Sequence, residues 1–239
     1  MKKPNILLFI TDQQRADHVG CYGNEIVKTP NIDAIASKGT RFDRFYVNNP
    51  ICSPNRASLM TGRMPSSHGL RYNGAPLPLN ARTFVESLAE NGYRTSLIGK
   101  SHLQNMTGGP PEWLPSEDNF AVDENGFPCE AIRYNLDGSD YQNENSQKWE
   151  TNPDHEINLP FYGFDHAEIC TMHADRTGGA YLRWIEQKQP DYKSLRGREN
   201  ALPDNRISTP QAWRTAMPEE LYSTAYISTR TIDYLENHA

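Results

Sequence analysis

The chain has 239 residues, of which 36% are hydrophobic, and its 24 basic and 30 acidic residues give a formal net charge of −6. Without a basic excess, neither nucleic acid nor an anionic membrane is a favoured partner. The longest apolar run, residues 6–10, is far below the ~20 residues of a membrane-spanning helix and too short for a secretory signal, which predicts a cytoplasmic protein.

Cysteine and histidine do not occur in the common metal or redox motifs. The four cysteines lie far apart without a C-x-x-C pair, which argues against a zinc ribbon, a thioredoxin-like site and a disulfide framework. The sequence contains no H-E-x-x-H, Walker A or G-x-G-x-x-G motif, so metalloprotease, P-loop and Rossmann signatures are lacking.

The first part of the chain predicts strands alternating with helices. Residues 5–10 are a continuous apolar run that ends in the polar sequence TDQQ, which is typical of a strand buried on both faces. Residues 29–39 begin with Thr and Pro and end at a glycine, which predicts a short helix. Residues 42–47 are predicted to form a second strand.

Helix and strand signals continue to residue 98. The Ser-Pro pair at 53–54 is predicted to cap a helix that ends at Gly62. A capping-box pattern at 83–86 opens a helix that ends near residue 92, and a strand over 93–98 follows. This alternation predicts an α/β fold with a mainly parallel sheet flanked by helices.

The second half of the chain is less regular. Residues 99–160 are rich in Pro, Gly, Asn and Asp, which predicts a long insertion at about 100–160 that either belongs to the active site or is partly disordered. Residues 175–187 have a helical composition, and 190–216 are again irregular. Apolar side chains at helical spacing from Leu221 to Leu235 predict a final helix.

The most informative stretch is CSPNRASLMTGR at residues 52–63. It resembles the signature of the sulfatase family, C-x-P-x-R followed by L-x-T-G, in which the cysteine is oxidised after translation to formylglycine. The resemblance extends to Asp12 and Gln13, to the predicted helix at 29–39, and to GKSHL at residues 99–103. Four elements in the family's order imply the sulfatase fold of the alkaline phosphatase superfamily.

The resemblance implies a catalytic set centred on Cys52. A thiol attacks sulfate esters poorly at neutral pH, whereas a hydrated formylglycine has one hydroxyl to attack sulfur and a second to expel sulfate. Arg56, about one helical turn later, would hold that hydroxyl or the developing charge. Lys100 would contact a sulfate oxygen and His102 the formylglycine hydroxyl, and their spacing at a strand end would point both to one side.

The same resemblance implies a divalent metal, Ca²⁺ or alternatively Mg²⁺ or Mn²⁺, bound through oxygen. The candidate metal ligands are Asp12, Gln13 and the modified Cys52, and the metal would lower the pKa of the attacking hydroxyl. Asn73 lies in an Asn-Gly turn and is a candidate substrate-binding residue by resemblance. His173, in a polar stretch, is assigned no role.

Gln13 leaves the reaction class open. Many sulfatases have a second Asp there, and an Asp-Gln pair resembles the choline-sulfatase-like and phosphonate monoester hydrolase branches. Lys100 and His102 favour sulfate, because the phosphonate branch replaces that element. The predicted function is hydrolysis of a small-molecule sulfate ester, with a phosphonate or phosphate ester hydrolase as the alternative. The resemblance also implies a formylglycine-generating or sulfatase-maturating enzyme as a partner.

The family's remaining metal ligands and a second Lys come from sequence downstream of the last predicted helix. We therefore expect residues 1–239 to form one N-terminal portion of the catalytic domain, about its first half. The third hypothesis is a non-catalytic fragment, and we expect little or no activity from the isolated chain.

Overall fold

The computed structural model describes residues 3–107 and 138–238. The helices are α1 (Pro30–Lys38), α2 (Cys52–Thr61), α3 (Pro65–His68), α4 (Phe84–Glu90), α5 (Ser146–Thr151), α6 (Ala180–Lys188) and α7 (Ser223–His238). The strands are β1 (Ser96–Gly99), β2 (His166–Thr171) and β3 (Gly178–Gly179). Short 3-10 turns lie at Ala16–His18, Gly20–Tyr22, Ser139–Tyr141, Ala174–Arg176, Tyr192–Leu195, Arg198–Asn200 and Glu219–Leu221.

Helices α1 and α2 form where local signals predict them. Pro30 occupies the first turn of α1, which ends before Gly39. Helix α2 begins at Cys52 and ends at Thr61, and the left-handed φ of 67° at the following Gly62 lets the Gly62 N–H donate to the carbonyl of Ser58. The predicted helix starts and stops at residues 29–39 and near 53–62 are therefore confirmed.

The capping box of α4 is also confirmed and has a second role. The Thr83 hydroxyl accepts the Glu86 N–H at 3.1 Å, and the Glu86 carboxylate accepts the Thr83 N–H at 2.9 Å. The same hydroxyl donates to the Tyr162 carbonyl at 2.9 Å. One side chain thus caps α4 and fastens it to the chain just before β2.

The sheet has the order β1-β2-β3 and is mixed. Strands β1 and β2 are parallel, with Ser96 opposite His166, whereas β3 is antiparallel to β2, with Cys170 opposite Gly179. Helix α6 contacts β2, and α7 contacts both β1 and α6. The predicted α/β class is confirmed, although the strand predicted over 93–98 occupies Ser96–Gly99 instead.

Two further predicted strands are wrong. Residues 5–10 and 42–47 do not form strands, and their backbones form no hydrogen bonds with any described strand. The apolar side chains are exposed, as in Phe9 (70%) and Phe45 (76%). An apolar run forms a strand only when a neighbouring strand hydrogen-bonds its N–H and C=O groups. In the described part of the chain neither run has such a neighbour.

Two hydrophobic clusters support the site. The first includes Leu70, Leu77, Phe161 and Ile169 and packs beneath α2 and α4. The second joins α6, α7 and the side chain of Trp149 in α5; its buried members include Tyr181, Ile185 and Tyr226. A bidentate ion pair links the sheet to α7, because Arg230 donates to the Glu168 carboxylate at 2.8 and 2.7 Å.

The predicted insertion at 100–160 is described in part. Residues 108–137, with Cys129, Trp113 and Tyr134, lie outside the described residues. The C-terminal part, 138–160, packs against the turn that follows β1 and includes α5. Trp149 is buried there, and the Tyr141 hydroxyl accepts the Leu79 N–H at 3.1 Å. No helix in the described ranges is long and apolar enough to cross a bilayer.

Candidate active site

Three separate segments bring Asp12, Cys52 and Lys100 together. Asp12 follows the first apolar run, Cys52 is the first residue of α2, and Lys100 comes directly after β1. The Lys100 Nζ lies 3.2 Å from Asp12 Oδ2 and 4.0 Å from Cys52 Sγ. Cys52 Sγ is 3.8 Å from Asp12 Oδ1. The sequence-predicted nucleophile position, metal ligand and sulfate contact therefore lie within hydrogen-bonding distance of one another.

Arg56 holds this arrangement from α2. Its side chain is buried, and Nη2 lies 3.4 Å from Asp12 Oδ1. Its Nη1 donates to the Lys100 carbonyl at 2.6 Å. The described hydrogen bonds of Arg56 thus go to Asp12 and Lys100, and they place a second positive charge one helical turn from Cys52.

His173 joins the same group, although the sequence prediction assigned it no role. Its Nδ1 is 2.9 Å from Asp12 Oδ2 and 3.3 Å from Lys100 Nζ. It lies between Met172 and Ala174, both non-glycine residues in the left-handed region with φ of 61° and 52°. Such strain concentrates at functional sites.

The position of His173 follows from the sheet topology and not from a sequence motif. Lys100 follows the carboxyl end of β1, and His173 follows the carboxyl end of β2, its parallel neighbour. Ligand sites of open α/β sheets lie outside the carboxyl ends of such strands. The pairing of β1 with β2 had to be known before this rule could be applied.

The cationic surroundings of Asp12 favour its charged form. The hydrogen bond with His173 has the largest effect and, together with Lys100 and Arg56, outweighs the opposing effect of burial. The pKa of the Asp12 carboxyl is therefore well below its usual range. At neutral pH Asp12 is therefore a carboxylate, and its two oxygens contact Lys100, Arg56 and His173.

His102 is buried near this group and is neutral. Burial, reinforced by the charges of Lys100, Arg56 and His173, lowers the pKa of His102 to about 3. Its backbone is left-handed, with φ of 53°. The predicted strand-end geometry is wrong, because β1 ends at Gly99 and the chain turns at His102. Among the described residues its Nδ1 has no hydrogen-bond partner.

Asn73 caps α2 from a distance. Its Oδ1 accepts the Ser53 N–H at 3.1 Å, in the first turn of the helix that begins at Cys52. The predicted cap by the Ser53 side chain is wrong, since that hydroxyl is buried without a partner in the described part of the chain. Gln13 is exposed beside Asp12 with a left-handed φ of 46°.

The donor chemistry fits part of a site for a hard divalent cation. Asp12 and Gln13 supply carboxylate and amide oxygens, the ligand types that Ca²⁺ and Mg²⁺ prefer. Asp12 faces the side chain of Cys52 at 3.8 Å, so the two positions can share one ion. Residues 3–107 and 138–238 contain no cluster of three or more His, Cys, Asp or Glu side chains that could hold a metal by itself.

The sulfatase family model matches residues 4–195. N-acetylglucosamine-6-O-sulfatase of Bacteroides thetaiotaomicron is 37% identical over 112 residues, covering 47% of this chain and 20% of that protein. The uncharacterized sulfatase YidJ of Escherichia coli is 34% identical over 183 residues, covering 74% and 32%. The crystal structure of phosphonate monoester hydrolase from Agrobacterium radiobacter superposes with a TM-score of 0.63 at 22% identity, covering 99% and 39%.

These matches cover only part of the relatives: the chain spans 20% and 32% of the two curated proteins. The structural likeness establishes the fold, which is shared over nearly the whole chain. The family match includes the segments that bear Asp12, Cys52 and Lys100. The chain therefore belongs to the sulfatase family.

Proposed function

We propose that the protein containing this chain hydrolyses sulfate esters, with residue 52 as the site of the nucleophile. The observation that carries the proposal is the convergence of Lys100, Arg56 and His173 on Asp12 beside Cys52. The sulfatase names of the relatives support the same reaction class.

Lys100, Arg56 and His173 have distinct tasks in this proposal. Lys100 Nζ, 4.0 Å from Cys52 Sγ, is placed to donate to an oxygen of a sulfate group reacting at residue 52. Arg56 is held by the Lys100 carbonyl, so it fixes Lys100 and adds positive charge near the developing negative charge. The exposed His173 ring lies at the open side of the group, where it contacts an entering anion.

His102 contributes a neutral ring. Because its pKa is lowered to about 3, the imidazole is uncharged at neutral pH. It therefore acts as a hydrogen-bond donor or acceptor toward residue 52 or the leaving oxygen, and adds no charge. Asn73, through its contact with the Ser53 N–H, keeps the first turn of α2 in position.

We further propose that Cys52 is converted to formylglycine by a formylglycine-generating or sulfatase-maturating enzyme. The modified side chain supplies an oxygen nucleophile where a thiol would react poorly. Asp12, Gln13 and residue 52 would hold Ca²⁺, or alternatively Mg²⁺ or Mn²⁺, which when bound activates the nucleophile and neutralises substrate oxygens.

A phosphonate or phosphate ester hydrolase is the second candidate, and Gln13 is the observation that favours it. Lys100 and His102 favour sulfate, since they place a cation and a neutral ring where the phosphonate branch has other residues. Hydrolysis of an aryl sulfate and of an aryl phosphonate monoester by the full-length protein separates the two. A sulfatase favours the aryl sulfate by a large ratio of kcat/KM, and the reverse ratio supports the alternative.

The direct test of the proposal is sulfate release from an aryl sulfate by the full-length protein, with a matched pair of cysteine variants. Cys52→Ala should abolish the activity, because it removes the precursor of the nucleophile. Cys21→Ala changes another partly exposed free thiol and should keep the activity. Equal activity in the Cys52→Ala variant and the wild type would contradict the proposal.

A further inference from the structure

A fully buried carboxylate, Glu144, binds the turn that follows β1. Its Oε1 accepts the Ser101 hydroxyl at 2.6 Å and the His102 N–H at 2.7 Å. Its Oε2 accepts the Gln104 N–H at 2.5 Å. Both carboxylate oxygens are therefore used, and all three donors come from four consecutive residues.

The contact between the two segments is reciprocal. The buried Gln104 side chain donates to the Asp140 carbonyl at 2.9 Å and accepts the Asn143 N–H at 3.0 Å. Glu144 forms no ion pair with any Lys or Arg of the described ranges. Burial raises the pKa of Glu144 against the opposing effect of its hydrogen bonds. Burying a carboxylate without a cation costs free energy, which its hydrogen bonds must offset.

The turn bound by Glu144 determines the positions of two residues of the candidate site, Lys100 and His102. His102 has a strained left-handed backbone, and its N–H is the group that Glu144 accepts. Lys100, one residue before the turn, reaches Asp12 through its side chain and Arg56 through its carbonyl. The placement of both side chains therefore depends on how the chain leaves β1.

We propose that Glu144 is a positioning residue whose carboxylate fixes residues 101–104, so that Lys100 keeps its place beside Cys52 and His102 its place near Lys100 and Asp12. The catalytic part of this inference rests on the function proposed above. Glu144 itself touches neither Cys52 nor Asp12 by any described hydrogen bond, and it acts through the turn.

The chemistry requires two acceptor oxygens. Gln at position 144 has nearly the same shape but a single oxygen, so its NH₂ group faces either the Gln104 N–H or the donors of Ser101 and His102. Asp keeps both oxygens on a shorter side chain. The expected order of function is therefore Glu, then Asp, then Gln.

The test compares Glu144→Gln and Glu144→Asp with the control Glu168→Gln, which alters another largely buried carboxylate, bound to Arg230 outside the site. Amide hydrogen exchange in the full chain reports the turn directly. Glu144→Gln should raise exchange at His102 and Gln104 by about tenfold or more. Glu144→Asp should recover part of the protection, and Glu168→Gln should leave these two amides unchanged.

Kinetics of the full-length protein with an aryl sulfate report the catalytic role. Glu144→Gln should lower kcat about 100-fold, the size of effect expected from misplaced catalytic groups, with little change in KM. Glu144→Asp should restore part of kcat, and Glu168→Gln should retain it. Exchange and kcat of Glu144→Gln that match Glu168→Gln would overturn the inference.

Two further outcomes are also decisive. If the wild type hydrolyses no sulfate ester, the proposed function fails, and the exchange data alone decide whether Glu144 holds the turn. If Glu144→Gln does not fold, Ser101→Ala removes one donor and leaves the carboxylate in place. Faster exchange at His102 in Ser101→Ala supports the inference, and unchanged exchange refutes it.

Discussion

Acid should destabilise the folded chain through His102. The pKa of the buried ring is about 3 in the fold, whereas an unfolded histidine has a pKa of about 6.5. Between these two pKa values the unfolded state binds a proton that the folded state does not bind. The free energy of unfolding therefore falls as the pH drops below about 6.5. Between pH 7 and pH 5 this difference amounts to about 2 kcal/mol, and the loss continues toward pH 3.

Urea unfolding at pH 7 and pH 5 measures this effect in three proteins: the wild type, His102→Gln and His238→Gln. The wild type should lose about 2 kcal/mol more than His102→Gln over this interval, whatever the baseline stability of the variant. His238 is exposed near the end of α7, so His238→Gln should retain the wild-type pH dependence. The same loss in the wild type and His102→Gln would refute the assignment of a neutral, buried His102.

The remaining predictions concern chemistry, packing and backbone. Lys100→Met should lower kcat for an aryl sulfate about 100- to 1,000-fold, and a variant with wild-type kcat would exclude Lys100 from the reaction. Leu77 belongs to the first cluster and is fully buried, so Leu77→Ala should lower the free energy of unfolding in urea by about 2–5 kcal/mol. Leu79 is 42% exposed, so Leu79→Ala should change it by no more than about 0.5 kcal/mol. Equal losses in the two variants would argue against the described core. Gly179→Ala should destabilise the chain by more than about 1 kcal/mol, because φ is 75° and the new Cβ would overlap the Ile169 carbonyl; an unchanged urea midpoint would contradict this backbone.

Local signals were sufficient for the helices. The Thr83–Glu86 box and Gly62 act within one helical turn, so the sequence alone predicts where α2 ends and α4 begins. The same reasoning misplaced the cap of α2, because the group that accepts the Ser53 N–H is Asn73, 20 residues further along the chain.

Strands could not be predicted in the same way. The run at 5–10 is more apolar than β2, yet β2 pairs with two strands and residues 5–10 pair with none that is described. Strand formation depends on a partner that lies far away in sequence, and composition carries no information about that partner.

The sequence predicted the residues of the candidate site that belong to the family motifs. Asp12, Cys52, Arg56 and Lys100 lie together, as the family resemblance implied. His173 and Glu144 were missed because neither belongs to a motif. His173 meets Asp12 across 161 residues and Glu144 meets Ser101 across 43, so only the folded chain reveals these contacts.

The proposed sulfatase activity requires that residue 52 is modified to carry the nucleophile. Peptide mass spectrometry of the protein purified from its native host measures this modification. We expect the peptide containing residues 52–56 to carry an aldehyde in place of the thiol, while Cys21 and Cys170 remain cysteines. An unmodified thiol at Cys52 throughout active material would contradict this expectation.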